Sequence, residues 1–205
     1  MIRVGMHSSL WTSAWTREGA EMSVTECARH RLEVVEIALL EPDAVDLQHS
    51  LALFERYGVA PTASLCLPEA IEATCHPQEA QAFLGNALDV AHALGCNTLT
   101  GVTYSALGYR SGAAPTEAEY DAVVRALKPV AKRAANYGMT LGIEPCNRYE
   151  THLLNTAAQA RARIDRIDEP AVMIHLDTYH ANVEEKSFAT DHFSVFAIDP
   201  VQPYA

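Results

Sequence analysis

The chain has 205 residues, 49 % of them hydrophobic, and its 15 Lys+Arg against 26 Asp+Glu give a formal net charge of −11. That length holds one α/β domain with a sizeable core, the charge would repel a phosphate backbone, and no apolar run approaches the ~20 residues of a membrane span. Cys27, Cys66, Cys75, Cys96 and Cys146 form no C-x-x-C, and Met1–Met6 runs straight into a strand without a signal-peptide layout, so reduced thiols in a cytoplasmic protein are expected.

In chain order, a first apolar strand reads over Arg3–His7, followed by an amphipathic helix over about Glu18–Arg31. The second strand, Glu33–Leu39, leads into a helix over Ala44–Tyr57, with Gly58 placed for a left-handed cap. The third, Pro61–Leu67, precedes a helix over Pro77–Leu94, opened by a proline and closed by Gly95. The fourth, Asn97–Tyr104, precedes a helix over Thr116–Tyr137, with Thr116 as N-cap and Gly138 at the exit. The fifth, Met139–Glu144, precedes a helix over Thr156–Ile167, and Val172–Asp177 is the sixth.

Strand and helix alternating at this spacing predict a parallel sheet with crossover helices. Eight such units usually need ~250 residues. The expectation is therefore an incomplete (β/α)8 TIM-barrel type with about six of its eight βα units, over residues 1–188, and a divergent tail over residues 189–205. His192–Ile198 has the makeup of a seventh strand, but Pro200 and Pro203 follow it without a helix pattern.

The fifth and sixth strands carry the most chemistry. Gly142–Glu150 reads G-I-E-P-C-N-R-Y-E, and His175–Glu185 reads H-L-D-T-Y-H-A-N-V-E-E. Glu144 and Asp177 stand at the C-terminal ends of successive strands, the face on which such barrels place their active sites. Hard divalent cations take oxygen ligands, so this pair suits Mg²⁺ or Mn²⁺. Two protein ligands leave most of the coordination shell to water, so weak binding is expected.

These segments, with Leu153–Ala160 (L-L-N-T-A-A-Q-A), Gly5–Trp15, Gly101–Tyr104 and Ala114–Tyr120, resemble the ketose 3-epimerases. That group, which acts on D-tagatose, D-psicose or L-ribulose, belongs to the xylose-isomerase-like sugar isomerase/epimerase barrels. The likeness runs from Met1 to about Phe188. It implies a Mn²⁺-type ion, or Mg²⁺ or Co²⁺, held by a Glu, an Asp, a His and a second Glu. Glu144 matches the first of these, a ligand that is also a catalytic acid/base group, and Asp177 matches the second. Glu150 and His180 match positions that hydrogen-bond the sugar oxygens, and His7, Trp15 and Cys66 fall where the family lines its substrate pocket. The metal His and second Glu have no match in residues 189–205. His30-Arg31 stands where these barrels usually turn with Gly.

The resemblance implies inversion of a free ketose at C3 through an enediolate, with two carboxylates as base and acid. The partners expected are a ketose sugar, no nucleic acid, no membrane and possibly a second copy of the chain. An aldose–ketose or hydroxypyruvate-type isomerase would share Glu144 and Asp177, and a catalytically silent barrel fragment is the third alternative. Plainer readings stand beside each residue. Glu144 or Glu150 would pair with Arg148, His180 would be a loop histidine, and Trp15 and Cys66 would be core. His175 reads as a packed histidine, and Glu184-Glu185 read as favouring a helix N-terminus.

Overall fold

A computed structural model describes residues 3–187 and the backbone of residues 198–199. Six parallel strands run in chain order across one sheet: β1 Gly5–His7, β2 Val34–Ala38, β3 Ala60–Leu67, β4 Thr98–Ala106, β5 Thr140–Ile143 and β6 Val172–Ile174. A further pair, β7 Leu176–Asp177 and β8 Ile198–Asp199, is also parallel. The connecting helices are α1 Arg17–Arg29, α2 Leu47–Tyr57, α3 Pro77–Ala93, α4 Glu117–Tyr137 and α5 Ala157–Ile167, and α6 Thr178–Glu184 follows β7.

Alternation decides the faces. In β2, Val35 and Ile37 are buried under the helices, while Glu36 and Ala38 turn to the opposite face and line a cavity. Leu84 and Leu88 of α3 and Leu127 of α4 join the same buried cluster from the helix layer. The helix ends follow the sequence closely. Thr116 and Thr156 each form a capping box, with Glu119 and Gln159, and Gly58 and Gly138 take left-handed caps at φ 66° and 67°.

Three of the departures from expectation have a local cause. The helix placed at Ala44–Tyr57 starts only at Leu47, because Asp46 caps it by accepting from the His49 N–H at 3.0 Å. Val45 before it is extended. The turn into β2 uses Arg31 itself in the left-handed region, at φ 59°. The strand expected over Val172–Asp177 divides at His175. Its first part pairs with β5, which stops at Ile143 ahead of Glu144-Pro145, and its last two residues pair with β8. A proline has no N–H to extend the ladder. The proposed seventh strand, His192–Ile198, lies outside the described residues up to residue 197, as do residues 188–191 and 200–205 of the tail.

Two devices shape the rim of the cavity. Gly101 has φ 98°, and a Cβ there would lie 2.4 Å from the Leu65 carbonyl oxygen, so β4 can approach β3 only as glycine. Further along β4, Ser105 and Ala106 donate to buried Glu72 at 2.9 and 2.6 Å, fixing the loop after β3 to the end of β4.

Candidate active site

A cavity of about 760 Å³ opens at the C-terminal ends of the strands. His7, Glu36, Cys66, Glu144, Asp177 and His180 all face it. Its centre is set by short-range geometry. Asp177 ends β7 and accepts from the Tyr179 N–H at 2.6 Å, so α6 begins at once and His180 falls on its first turn. The His180 Nε2 then lies 3.5 Å from Asp177 Oδ2, 3.8 Å from Glu144 Oε1 and 3.8 Å from Glu150 Oε2.

Opposite β7, the loop after β5 is fixed in turn. The Glu144 N–H donates to the Gly101 carbonyl at 3.0 Å, and Asn155 ties the loop by donating to the carbonyls of Cys146 and Thr151, both at 2.9 Å. Asn147, fully buried, donates from its backbone N–H and its side-chain amide to His180 Nδ1 at 3.2 and 2.9 Å. The same amide donates to Glu150 Oε1 at 2.9 Å.

Three carboxylates around one imidazole nitrogen repel one another strongly at the wall of a half-enclosed cavity. A cation would offset that repulsion. The ligand atoms of Glu144, Cys146 and His180 lie within 4.8 Å of one another, and Glu144 and Asp177, both lining the cavity, offer the hard carboxylate oxygens that a divalent ion takes. The donor chemistry therefore fits a divalent metal.

The surroundings are polar but poorly solvated. His175 is 2 % exposed, neither ring nitrogen has a hydrogen-bond partner among the described residues, and its Nδ1 lies 3.4 Å from Glu144 Oε2. Burial pushes its pKa down to about 4, so it is neutral near pH 7. Burial also raises the Glu36 carboxyl, partly opposed by a hydrogen bond from Ser64, and its Oε1 accepts none from the described residues. The Cys146 thiol stands well above its ordinary pKa, first through burial and then through Glu144 and the neighbouring carboxylates. Burial likewise raises half-buried Cys66. The Ser9 N–H donates to His7 Nδ1 at 3.2 Å, which leaves Nε2–H to donate to Ser64 Oγ, also at 3.2 Å.

Glu144, Asp177, Glu150, His180, His7 and Cys66 are thus brought to one cavity. Trp15 is the correction. It is 6 % exposed, stacks on Phe54 with ring centroids 6.2 Å apart, donates from Nε1 to Ser50 Oγ at 3.1 Å, and does not line this cavity. An indole gains more by packing on α2 with its N–H satisfied than by facing water. Glu185 accepts from the Ala157 N–H at 2.7 Å, meeting the first turn of α5 as its charge suggested.

Sequence reasoning gave no role to Glu36, Asn147 or Cys146. Glu36 had a signal, a lone charge within the apolar run V-V-E-I-A. Asn147 and Cys146 sat inside the quoted motif, but nothing in a linear pattern shows which way an amide or thiol turns.

The family described as xylose isomerase-like TIM barrel matches residues 18–201. An L-ribulose 3-epimerase of Methylomonas sp. is 35 % identical over 192 residues, 92 % of this chain and 67 % of the relative. A ketose 3-epimerase of Arthrobacter globiformis is 34 % identical over 188 residues, 90 % of this chain and 65 % of the relative. Among solved structures, a D-allulose 3-epimerase from Methylomonas sp. in complex with D-allulose superposes with a TM-score of 0.87 at 33 % identity. That match covers 92 % of this chain and 66 % of the other. The chain spans about two thirds of the length of the curated relatives it matches. Among the described residues, no helix is long and apolar enough to cross a membrane.

Proposed function

This chain belongs to the xylose isomerase-like TIM barrel family, and on that footing we propose that its cavity serves metal-dependent epimerisation of a free ketose at C3. The reading is supported by one observation above others, the convergence of Glu144, Glu150 and Asp177 on His180 Nε2 at the barrel's C-terminal face. Its named relatives act on L-ribulose or on ketoses, which makes a free ketose the substrate class to test.

Glu144 and Asp177 would hold the divalent ion, with Mn²⁺ as the first candidate because carboxylate ligands suit hard cations. Bound there, the ion supplies Lewis-acid stabilisation of the oxyanion that develops on the sugar. Glu144 would take the C3 proton as general base and exchange it with water in the open cavity, and a proton returned from that water to the opposite face of C3 would complete the inversion. His180 donates a hydrogen bond to a sugar oxygen, and Glu150 accepts one from a sugar hydroxyl. His7 and Cys66 border the remainder of the sugar. The five free cysteines fit a reducing compartment, and a cytoplasmic location is part of this reading.

Incubation in D₂O with Mn²⁺ and D-fructose, D-tagatose or L-ribulose tests the proposal. Deuterium at C3, or the C3 epimer itself, is expected by NMR and chromatography, and both signals vanish in Glu144→Gln. Sugar that binds with neither exchange nor epimerisation at C3 defeats it.

A further inference from the structure

Asn147 decides what His180 can do. It is 1 % exposed, and its amide orientation is fixed because Oδ1 accepts from the Tyr149 backbone N–H at 2.9 Å. The NH₂ group therefore faces His180 Nδ1 and Glu150 Oε1, each at 2.9 Å. The backbone N–H of Asn147 reaches the same Nδ1 at 3.2 Å. A backbone N–H can only donate, so Nδ1 must offer its lone pair and the ring proton must sit on Nε2.

We propose that Asn147 is a positioning residue that locks His180 as its Nε2–H tautomer and sets Glu150 beside it, giving the cavity one fixed donor and one fixed acceptor. The inference rests on the sugar-binding reading above for its substrate, but its geometry stands apart from it. With the proton on Nε2, His180 has no lone pair to give an ion at the cavity centre. Its place near Glu144 and Cys146 is then that of a hydrogen-bond donor, despite the close grouping of their ligand atoms. His180 Nε2 and Glu150 Oε2 stand 3.8 Å apart, and both side chains are held by the single amide of Asn147. A donor and an acceptor so paired suit neighbouring oxygens of a polyol chain, a carbonyl at His180 and a hydroxyl at Glu150.

Long-range ¹H–¹⁵N spectra of the ¹⁵N-histidine-labelled protein read the tautomer directly, with His180→Gln supplying the assignment. Expected are a protonated Nε2 and a pyridine-type Nδ1 for His180, unchanged by added Mg²⁺, the diamagnetic stand-in for Mn²⁺. An Nδ1–H ring, or an average of the two forms, overturns the proposal without any variant. Asn147→Asp keeps the acceptor for Tyr149 and the backbone N–H on Nδ1, but replaces the amide donors with a carboxylate that draws a proton to Nδ1, so His180 should show a mixture of the two tautomers. The affinity for D-fructose, D-tagatose or L-ribulose, whichever the parent chain binds, should fall at least about tenfold. Pulsed EPR of Mn²⁺ bound to the ¹⁵N-histidine-labelled protein should show no nitrogen coupling from His180, whereas a ¹⁵N coupling that disappears in His180→Ala makes His180 a ligand and overturns the assignment. If the parent binds no sugar, the proposed function fails, while the tautomer and Mn²⁺ readouts still decide the role of Asn147.

Discussion

Arg148 clasps Glu184. Its backbone N–H and Nε donate to Glu184 Oε1 at 2.8 and 2.9 Å, and its Nη2 donates to Oε2 at 2.7 Å. The guanidinium that sequence proximity offered to Glu144 or Glu150 is thereby engaged on α6. This clasp ties the loop after β5 to the helix that carries His180, bridging the two motifs that are separate in sequence.

It also carries a pH signature. The Arg148 hydrogen bonds and charge hold the Glu184 carboxyl below its ordinary range. A depressed carboxyl contributes stability that is present above its unfolded pKa and lost as pH falls through the lower folded value. Arg148→Ala should therefore destabilise the protein near pH 7 and much less near pH 3. Urea denaturation at both pH values checks this, and an equal effect at the two would refute it.

Glu144→Gln and Asp177→Asn should separate catalysis from metal binding. The carboxamide of Gln keeps an oxygen ligand but is a poor base. Glu144→Gln is expected to lose far more of its C3 exchange than of its Mn²⁺ affinity. Isothermal titration with Mn²⁺, alongside NMR of the sugar, reads both quantities. Exchange unchanged from the parent in Glu144→Gln and Asp177→Asn after chelation and remetallation would remove this pair from the chemistry.

Trp15→Phe should cost about 1–2 kcal/mol of stability, from the lost hydrogen bond to Ser50 and reduced packing. Sugar and Mn²⁺ affinities should not change, because the indole lies outside the cavity. A stable variant with weakened sugar binding would return Trp15 to the pocket.

Arg31→Gly should stabilise the fold by about 0.5–1 kcal/mol. A side chain in the left-handed region costs about 1–2 kcal/mol, and glycine returns part of that in backbone entropy. The midpoint of urea unfolding should rise with an unchanged slope. A lower midpoint would mean that the Arg31 side chain contributes more than its backbone costs.

The sequence by itself determined the order of strands and helices, since alternation, caps such as Thr116 and Thr156, and glycines at helix exits are local signals that act within a few residues. It also marked Glu144 and Asp177, because residues at strand ends in a parallel βα fold share one face whatever packs below them. Only the tertiary structure decided orientation. Trp15 went to the core because Ser50 and Phe54, remote in sequence, offered it a partner and a surface. Arg148 went to Glu184 because α6 folds back over the loop after β5. Asn147, silent as one polar letter in a motif, acquired its part because two backbone N–H groups, its own and that of Tyr149, fix which way an amide and an imidazole turn. Such hydrogen-bond directions depend on what lies across the cavity, and a linear chain does not carry that information locally.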